Sequence, residues 1–308
     1  MNKQPKILAI GGVTASGKTE CSIAFAQKYN GAIINCDSRQ IYTHFTIGTA
    51  KPSIEKKNKD GSVSVHGITH HLLDFISPET HYSLAEYKKD AITAINTILS
   101  KGQLPIISGG TGLYMDAVIH DYALPNEHID RNYRQLLSRK TLKELQSILV
   151  KLTPSARTSM NPSDWNNTRR IIRAIEKHSY SSSHKTQRNT QPYRSLYLVL
   201  DIPDDELENR IAMRVDHMFA NGLEEENRVI RKLAMSETCP ARSSIGYKEF
   251  DAYFSGNQTL EETRELIILH TRQYAKRQRT WFRRNPQAVW IKNSKDAYPL
   301  VSAFLAEA

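Results

Sequence analysis

Residues 12–19 read GVTASGKT, with Gly12, Gly17, Lys18 and Thr19 in the pattern GxxxxGK[ST]. The flanks are those the pattern needs. Lys6 to Ile10 (KILAI) is a short apolar run closed by glycines, so a buried strand. Residues 17–29 carry Cys21, Ile23, Ala24, Phe25 and Ala26 as apolar positions of a helix. Glycines between a strand and a helix let backbone N–H groups fold around phosphate oxygens, and the helix N-terminus adds its positive dipole end. Gly12, Thr14, Ala15, Ser16, Gly17, Lys18 and Thr19 are therefore the expected polyphosphate contacts. Lys18 neutralises phosphate charge, and the Thr19 hydroxyl is the expected ligand of a Mg2+ ion. By average residue frequencies a chain of this length carries the pattern by chance roughly once in a hundred, so a polyphosphate ligand outweighs a mere tight turn.

The rest of the chain reads as alternating strands and helices up to about residue 120. Ala32 to Cys36 and Leu104 to Ile107 are further strands, and residues 53–65 read as a polar loop. Residues 83–100 place Leu84, Tyr87, Ala91, Ile95 and Ile98 at helical spacing, with Ser83 and Glu86 as a capping box. After Asp121 strand signals vanish for about 70 residues, and basic helical stretches take over at 131–150 and 165–178. Residues 179–194 read as a loop, LYLVLD (196–201) as a strand, 203–234 and 259–284 as helices, and Val289–Ile291 as a last edge strand. The expected fold is α/β, a P-loop NTPase-like parallel sheet flanked by helices. Residues 1–120 and 195–308 form its core, and 121–194 an inserted, mostly helical domain.

Charge separates the same regions. The chain of 308 residues has a formal net charge of +10. Residues 121–200 hold 14 basic and 6 acidic side chains, most of the excess. A polyanionic partner and a merely solvated basic surface explain that equally well. The longest apolar run, Leu196 to Leu200, is far short of the ~20 residues a membrane span needs. Three separated cysteines, Cys21, Cys36 and Cys239, fit no zinc or disulfide pattern and suggest a reducing, cytoplasmic setting.

Two further loops fall at strand ends, where open α/β sheets bind ligands. Asp37 closes the second strand and could take a proton from a nucleophile there, or simply cap a turn. SGGTGLY (108–114) follows the third strand, and its amides and the Thr111 hydroxyl could meet a second anionic group, or form an ordinary turn. No acid ends that third strand, although γ-phosphoryl chemistry needs one for its metal. Asp201 could imitate such an acid, but a strand-end or helix-capping role suits it better.

Taken in order, GVTASGKT, DSRQIY (37–42), IGTAKP (47–52), GGTGLY (109–114) and TRQYAKRQRTWF (271–282) resemble the tRNA dimethylallyltransferases, or tRNA isopentenyltransferases. The resemblance spans nearly the whole chain. It implies transfer of a dimethylallyl group from dimethylallyl pyrophosphate to N6 of the adenosine 3′-adjacent to the anticodon. The P-loop would then hold a prenyl pyrophosphate rather than ATP, which explains the missing acid. It assigns Asp37 as general base, Thr111 as a threonine near the reacting groups and Arg214 as a grip on the pyrophosphate. Asp37, Ser38, Arg39, Gln40 and Thr111 would face the flipped adenosine. An anticodon stem-loop would be gripped by Arg131, by Arg169, Arg170 and Arg173 of TRRIIRAIE (168–176), and by Lys276, Arg277 and Arg279. Tyr274 and Trp281 could stack on bases, yet their spacing of seven also suits a core-facing helix side. Two departures stand out: Val13 replaces a usual proline, and 177–187 lacks the family's threonine-glycine segment. The lack of a zinc finger suggests a bacterial or organellar type. The enzyme is expected to be a monomer with Mg2+. The alternatives are an adenylate prenyltransferase, which needs no basic insert; a P-loop kinase or NTPase, which needs an acid by the third strand; and an RNA-binding module, which leaves the P-loop without purpose.

Overall fold

The computed structural model describes residues 4–124, 130–180, 192–233 and 239–307, without the side chains of Arg131 and Tyr180. The chain divides into two compact units, Met1–Tyr122 with Arg188–Ala308, and Ala123–Gln187. Described strands of the first unit are β1 (Lys6–Gly12), β2 (Gly31–Asn35), β3 (Lys56–Lys57), β4 (Val63–Val65), β5 (Ile68–His71), β6 (Leu104–Ser108), β7 (Arg194–Leu200) and β8 (Val289–Ile291). Helices α1 (Lys18–Lys28), α2 (Leu84–Ser100) and α3 (Gly112–Ile119) come first. The second unit holds α4 (Arg131–Ser138), α5 (Leu142–Leu152), α6 (Ala156–Ser159), α7 (Pro162–Trp165) and α8 (Thr168–Tyr180). The first unit resumes with α9 (Asp204–Ala220), α10 (Leu223–Lys232), α11 (Phe250–Phe254), α12 (Leu260–Phe282) and α13 (Ser294–Ala306).

The sheet order is β3-β4-β5-β2-β6-β1-β7-β8. Strands β5 through β8 in that order are mutually parallel, while β3 and β4 run antiparallel at one edge. Alternation along β1 serves two layers at once. Ile7 and Ala9 join Tyr87, Ile95 and Ile98 of α2 on one face; Leu8 and Ile10 join Phe25 of α1 and Val301 of α13 on the other. Parallel strands bring the loops after β1, β2, β6 and β7 to one edge of the sheet, where the P-loop, Asp37, Thr111 and Asp201 lie.

The stretch expected as a loop at 53–65 instead contains β3 and β4, an antiparallel hairpin feeding β5. Val63 and Val65 are buried while Ser64 between them is not, a period of two too short to stand out beside the lysines. The expected helix at 131–150 is two helices, because Thr141 and Glu144 form a capping box that starts α5 anew. Likewise 203–234 breaks at Gly222, whose φ of +92° suits glycine. The Ser83–Glu86 capping box is present at α2. The expected loop at 179–194 falls largely outside the described residues.

Helix α12 explains most of the glycines at the sheet edge. A Cβ on Gly112 would lie 2.1 Å from Trp281 Cδ1, and one on Gly11 would lie 2.6 Å from Phe282 Cε1. Trp281 also donates its indole N–H to buried Asp116 (2.8 Å), whose other oxygen accepts from the Tyr197 hydroxyl at 3.0 Å. Burial pushes the Asp116 carboxyl above its usual range, against these two hydrogen bonds. Substituting Gly112→Ala should therefore destabilise the protein by about 1–3 kcal/mol. An unchanged urea midpoint would mean that the Trp281 contact is slack.

In the second unit, Leu145 and Leu149 of α5 pack on Ile171 and Ile175 of α8. Arg134 of α4 meets buried Glu176 of α8 through two hydrogen bonds of 2.6 and 2.5 Å.

Candidate active site

The P-loop is built by its own short-range bonds. Gly12 takes a φ of +148°, and a Cβ there would lie 2.5 Å from the Leu200 carbonyl. The Ser16 hydroxyl donates to the Val13 carbonyl at 2.8 Å and closes the turn. Ala15 sits in the left-handed region, φ +62°, where a small side chain costs least. Gly17 follows with φ +93° and opens α1. The amides of Gly17, Lys18 and Thr19 donate to no protein acceptor among the described residues, as expected at a helix N-terminus awaiting an anion.

Not every expected contact of that loop faces a ligand. Thr14, Ala15, Gly17, Lys18 and Thr19 line a cavity of about 410 Å3, whereas Gly12 and Ser16 support the loop from behind. Thr14 is doubly engaged: its amide donates to Gln278 at 2.8 Å, and its hydroxyl accepts from Arg214 at 3.2 Å. The Ser16 amide bonds to the Val13 carbonyl at 3.4 Å, so of these three residues only Thr14 reaches the cavity wall. Burial and the adjacent Arg214 charge push the Lys18 ammonium down to about 7, against Asp37 and Glu20, which pull it up. Burial likewise lowers the Arg214 guanidinium, opposed by Glu20 and Asp37.

The loop after β2 forms the facing wall. Asp37 Oδ1 accepts the Arg39 amide at 2.8 Å and the Gln40 amide at 3.4 Å. Asp37 therefore does cap a turn, and it also lines the cavity. The turn uses Oδ1, and no described residue donates to Oδ2. The Thr111 hydroxyl accepts the Ser38 amide at 3.0 Å, and the Thr111 amide donates to the Cys36 carbonyl at 3.0 Å. Thr111 thus grips Asp37 from both sides. The Gly109 and Thr111 amides bond to the Ile10 and Cys36 carbonyls, so these amides are not free for an anion. The Arg39 guanidinium donates to the Pro240 carbonyl at 2.6 Å, and the Gln40 amide nitrogen to the Thr49 and Ala50 carbonyls.

The basic side chains divide. Arg277 is exposed and lines the cavity, and Lys276 is exposed beside it. The Arg279 guanidinium is held by Asp201 (2.7 Å) and by Asp204. Asp201 Oδ1 also accepts the Ile202 amide at 3.1 Å, in keeping with the strand-end role preferred for it. On α8, Arg169 is exposed without an ion pair among the described residues, while Arg170 pairs with Asp164 and Arg173 lies 3.7 Å from Glu176. The Arg131 side chain lies outside the described residues. Trp281 belongs to the core, as its spacing allowed, but Tyr274 lines the cavity, its phenol pushed up by burial and by Asp37.

Sequence reasoning missed other parts of the site. Glu226 of α10 accepts the amides of Thr46, Ile47 and Gly48, the Ile47 bond at 2.8 Å, and the Tyr247 hydroxyl at 2.6 Å. It clasps the IGTAKP loop from a distant helix. Ser243, Ser244 and Lys248 close the cavity beside it. Gln278 was hidden in TRQYAKRQRTWF among more conspicuous cations. A buried amide between Ala275 and Phe282 on a helix face was its only signal.

A family model described as IPP transferase matches residues 40–285, and one described as isopentenyl transferase matches 5–63. The chain belongs to the IPP transferase family. Within that family, the tRNA dimethylallyltransferase of Pelotomaculum thermopropionicum is 36% identical over 299 residues, spanning 94% of this chain and 92% of its own. That of Anoxybacillus flavithermus is 38% identical over 296 residues, spanning 94% and 91%. The full-length tRNA isopentenylpyrophosphate transferase of Bacillus halodurans superposes with a TM-score of 0.71 at 33% identity, covering 98% of this chain and 97% of that one. A eukaryotic dimethylallyltransferase acting on tRNA shares the fold, with a TM-score of 0.74 at 24% identity over 98% of this chain and 77% of that one.

Proposed function

We propose that this IPP transferase moves the dimethylallyl group of dimethylallyl pyrophosphate to N6 of the adenosine 3′-adjacent to the anticodon of a tRNA. The observation that carries this reading is the meeting, in one cavity, of a P-loop with unengaged amides and a carboxylate on the opposite loop. An exocyclic adenine amine is a weak nucleophile, so close positioning and a base must do much of the work. N6 attacks C1 of the prenyl group, and the C1–O bond to pyrophosphate breaks. Asp37 takes the N6 proton. Negative charge develops on the leaving pyrophosphate, facing Lys18, Arg214 and the amides of Gly17, Lys18 and Thr19. A hydrolytic P-loop reading is disfavoured because Asp201 is engaged by Arg279.

The donor set also suits Mg2+. Thr19 is exposed, and its hydroxyl donates to no group among the described residues, a hard oxygen beside the phosphate cradle. No group of three acidic, histidine or cysteine side chains placed to hold a metal ion is present among the described residues, so the ion would be carried chiefly by pyrophosphate and water. When bound, it neutralises charge on the leaving group.

No described helix is long and apolar enough to cross a membrane, and a cytoplasmic monomer is part of the proposal. The test is a transfer assay with labelled dimethylallyl pyrophosphate, Mg2+ and either unmodified tRNA or AMP. Label in tRNA alone supports the reading, and label in AMP alone replaces it with an adenylate prenyltransferase. ATP turnover without label transfer overturns it.

The second unit supplies the tRNA platform in this proposal. Arg169→Gln should reduce the slope of log affinity against log salt by about one, because its charge has no ion-pair partner among the described residues. Arg170→Gln should change it less, since Asp164 already engages that guanidinium. Equal slopes for Arg169→Gln and the unmodified protein would remove this helix from the interface.

A further inference from the structure

Gln278 links the two catalytic loops through one buried amide. Its side chain is 5% exposed. Its Oε1 accepts the Thr14 amide at 2.8 Å, and its Nε2 donates to the Gly110 carbonyl at 2.9 Å. The partners dictate the amide's orientation, because an N–H needs the oxygen and a carbonyl needs the nitrogen. Gly110 is glycine because a Cβ there would lie 2.2 Å from Nε2.

The bonds continue in both directions. Toward the P-loop, Thr14 holds Arg214 through its hydroxyl. Toward the facing loop, Gly110 precedes Thr111, which bonds both neighbours of Asp37, accepting from the Ser38 amide and donating to the Cys36 carbonyl. The helix carrying Gln278 is itself fixed. Arg279 is anchored to Asp201, Trp281 to Asp116, and Phe282 packs on Gly11. The amide is thus a rigid strut, and no other uncharged side chain of its length offers an acceptor and a donor together.

We infer that Gln278 is a positioning residue that sets the spacing between the pyrophosphate loop and the Asp37 loop. The inference rests on the proposed roles of those two loops. Displacing reacting groups by about 1 Å costs on the order of 10²-fold in rate, and nothing else among the described residues joins Thr14 to Gly110 directly.

The test uses the full-length enzyme. Gln278→Glu keeps the shape and the Thr14 bond, but its carboxylate opposes the Gly110 carbonyl. Gln278→Met removes both bonds without adding charge, and it serves if the first variant folds poorly. In the folded variant, kcat should fall about 10- to 100-fold. The KM for dimethylallyl pyrophosphate, the affinity for inorganic pyrophosphate and the affinity for tRNA should each stay within about threefold. In a Thr111→Ala background, the same substitution should cost less than in the unmodified enzyme, because the hydroxyl bond to the Ser38 amide, one of the two links to the neighbours of Asp37, is already lost. A kcat within twofold of the unmodified enzyme overturns the inference. So does a loss confined to KM or matched by lost pyrophosphate affinity, or a full loss retained in the Thr111→Ala background. Absence of pyrophosphate binding by the unmodified enzyme would instead sink the reading of the P-loop, and is measured separately.

Discussion

Asp37→Ala lowers kcat for prenyl transfer by 10²- to 10⁴-fold, the usual range for a lost general base, with tRNA affinity nearly unchanged. The alanine variant alone leaves an ambiguity, because Asp37 also builds a turn through Oδ1. Asp37→Asn resolves it. An asparagine oxygen accepts the Arg39 and Gln40 amides as the carboxylate does, so the turn and the Thr111 grip survive while the base is lost. The two variants should fall together. Rates are measured at saturating donor and tRNA, with binding to tRNA read independently. If Asp37→Asn keeps more than about a tenth of the unmodified enzyme's activity, the residue serves the turn, and the proton goes elsewhere.

Lys18→Met is the second large effect. Lys18 faces the charge that develops on the leaving pyrophosphate, and removing one preorganised donor of that kind costs about 10²- to 10³-fold in kcat. It also carries a pH signature. In the folded protein its ammonium is held down to about 7. Bound pyrophosphate adds negative charge beside it and raises that value, so binding favours the protonated form. Affinity for pyrophosphate is therefore greatest below pH about 7 and declines as pH rises beyond it, with proton uptake on binding. The ligand's own titration contributes as well, and the Lys18→Met variant measures that part alone. Subtracting its profile should leave the decline above neutrality. Identical profiles for the two proteins would show that Lys18 keeps its charge throughout.

Much of this architecture was legible in the residues. The P-loop declares itself because phosphate binding imposes glycines at fixed intervals next to a lysine, and the geometry is local. Helix α2 declares itself through a capping box and regular apolar spacing. The hairpin at 56–65 did not, since its strands are short and its alternation is diluted by lysines. The ion pairs of Arg279 were illegible for a related reason. In the sequence it is one cation among several, and only the fold brings Asp201 and Asp204 to it. Tyr274 and Trp281 share a helix face by spacing, yet one lines the cavity and the other packs in the core.

The sequence by itself determined the chemistry that local pattern encodes: a phosphate cradle, a carboxylate at a strand end, and an ordered set of motifs. Tertiary structure alone decided how those pieces are held. Glu226 reaches the Thr46–Gly48 amides from a helix far along the chain, and Gln278 ties Thr14 to Gly110 across most of its length. Such bonds leave no periodic trace, because hydrogen-bond partners are chosen by distance in space rather than separation in sequence. The glycines at 11, 110 and 112 carry the same lesson, since what they make room for is the other end of the chain folded back against them.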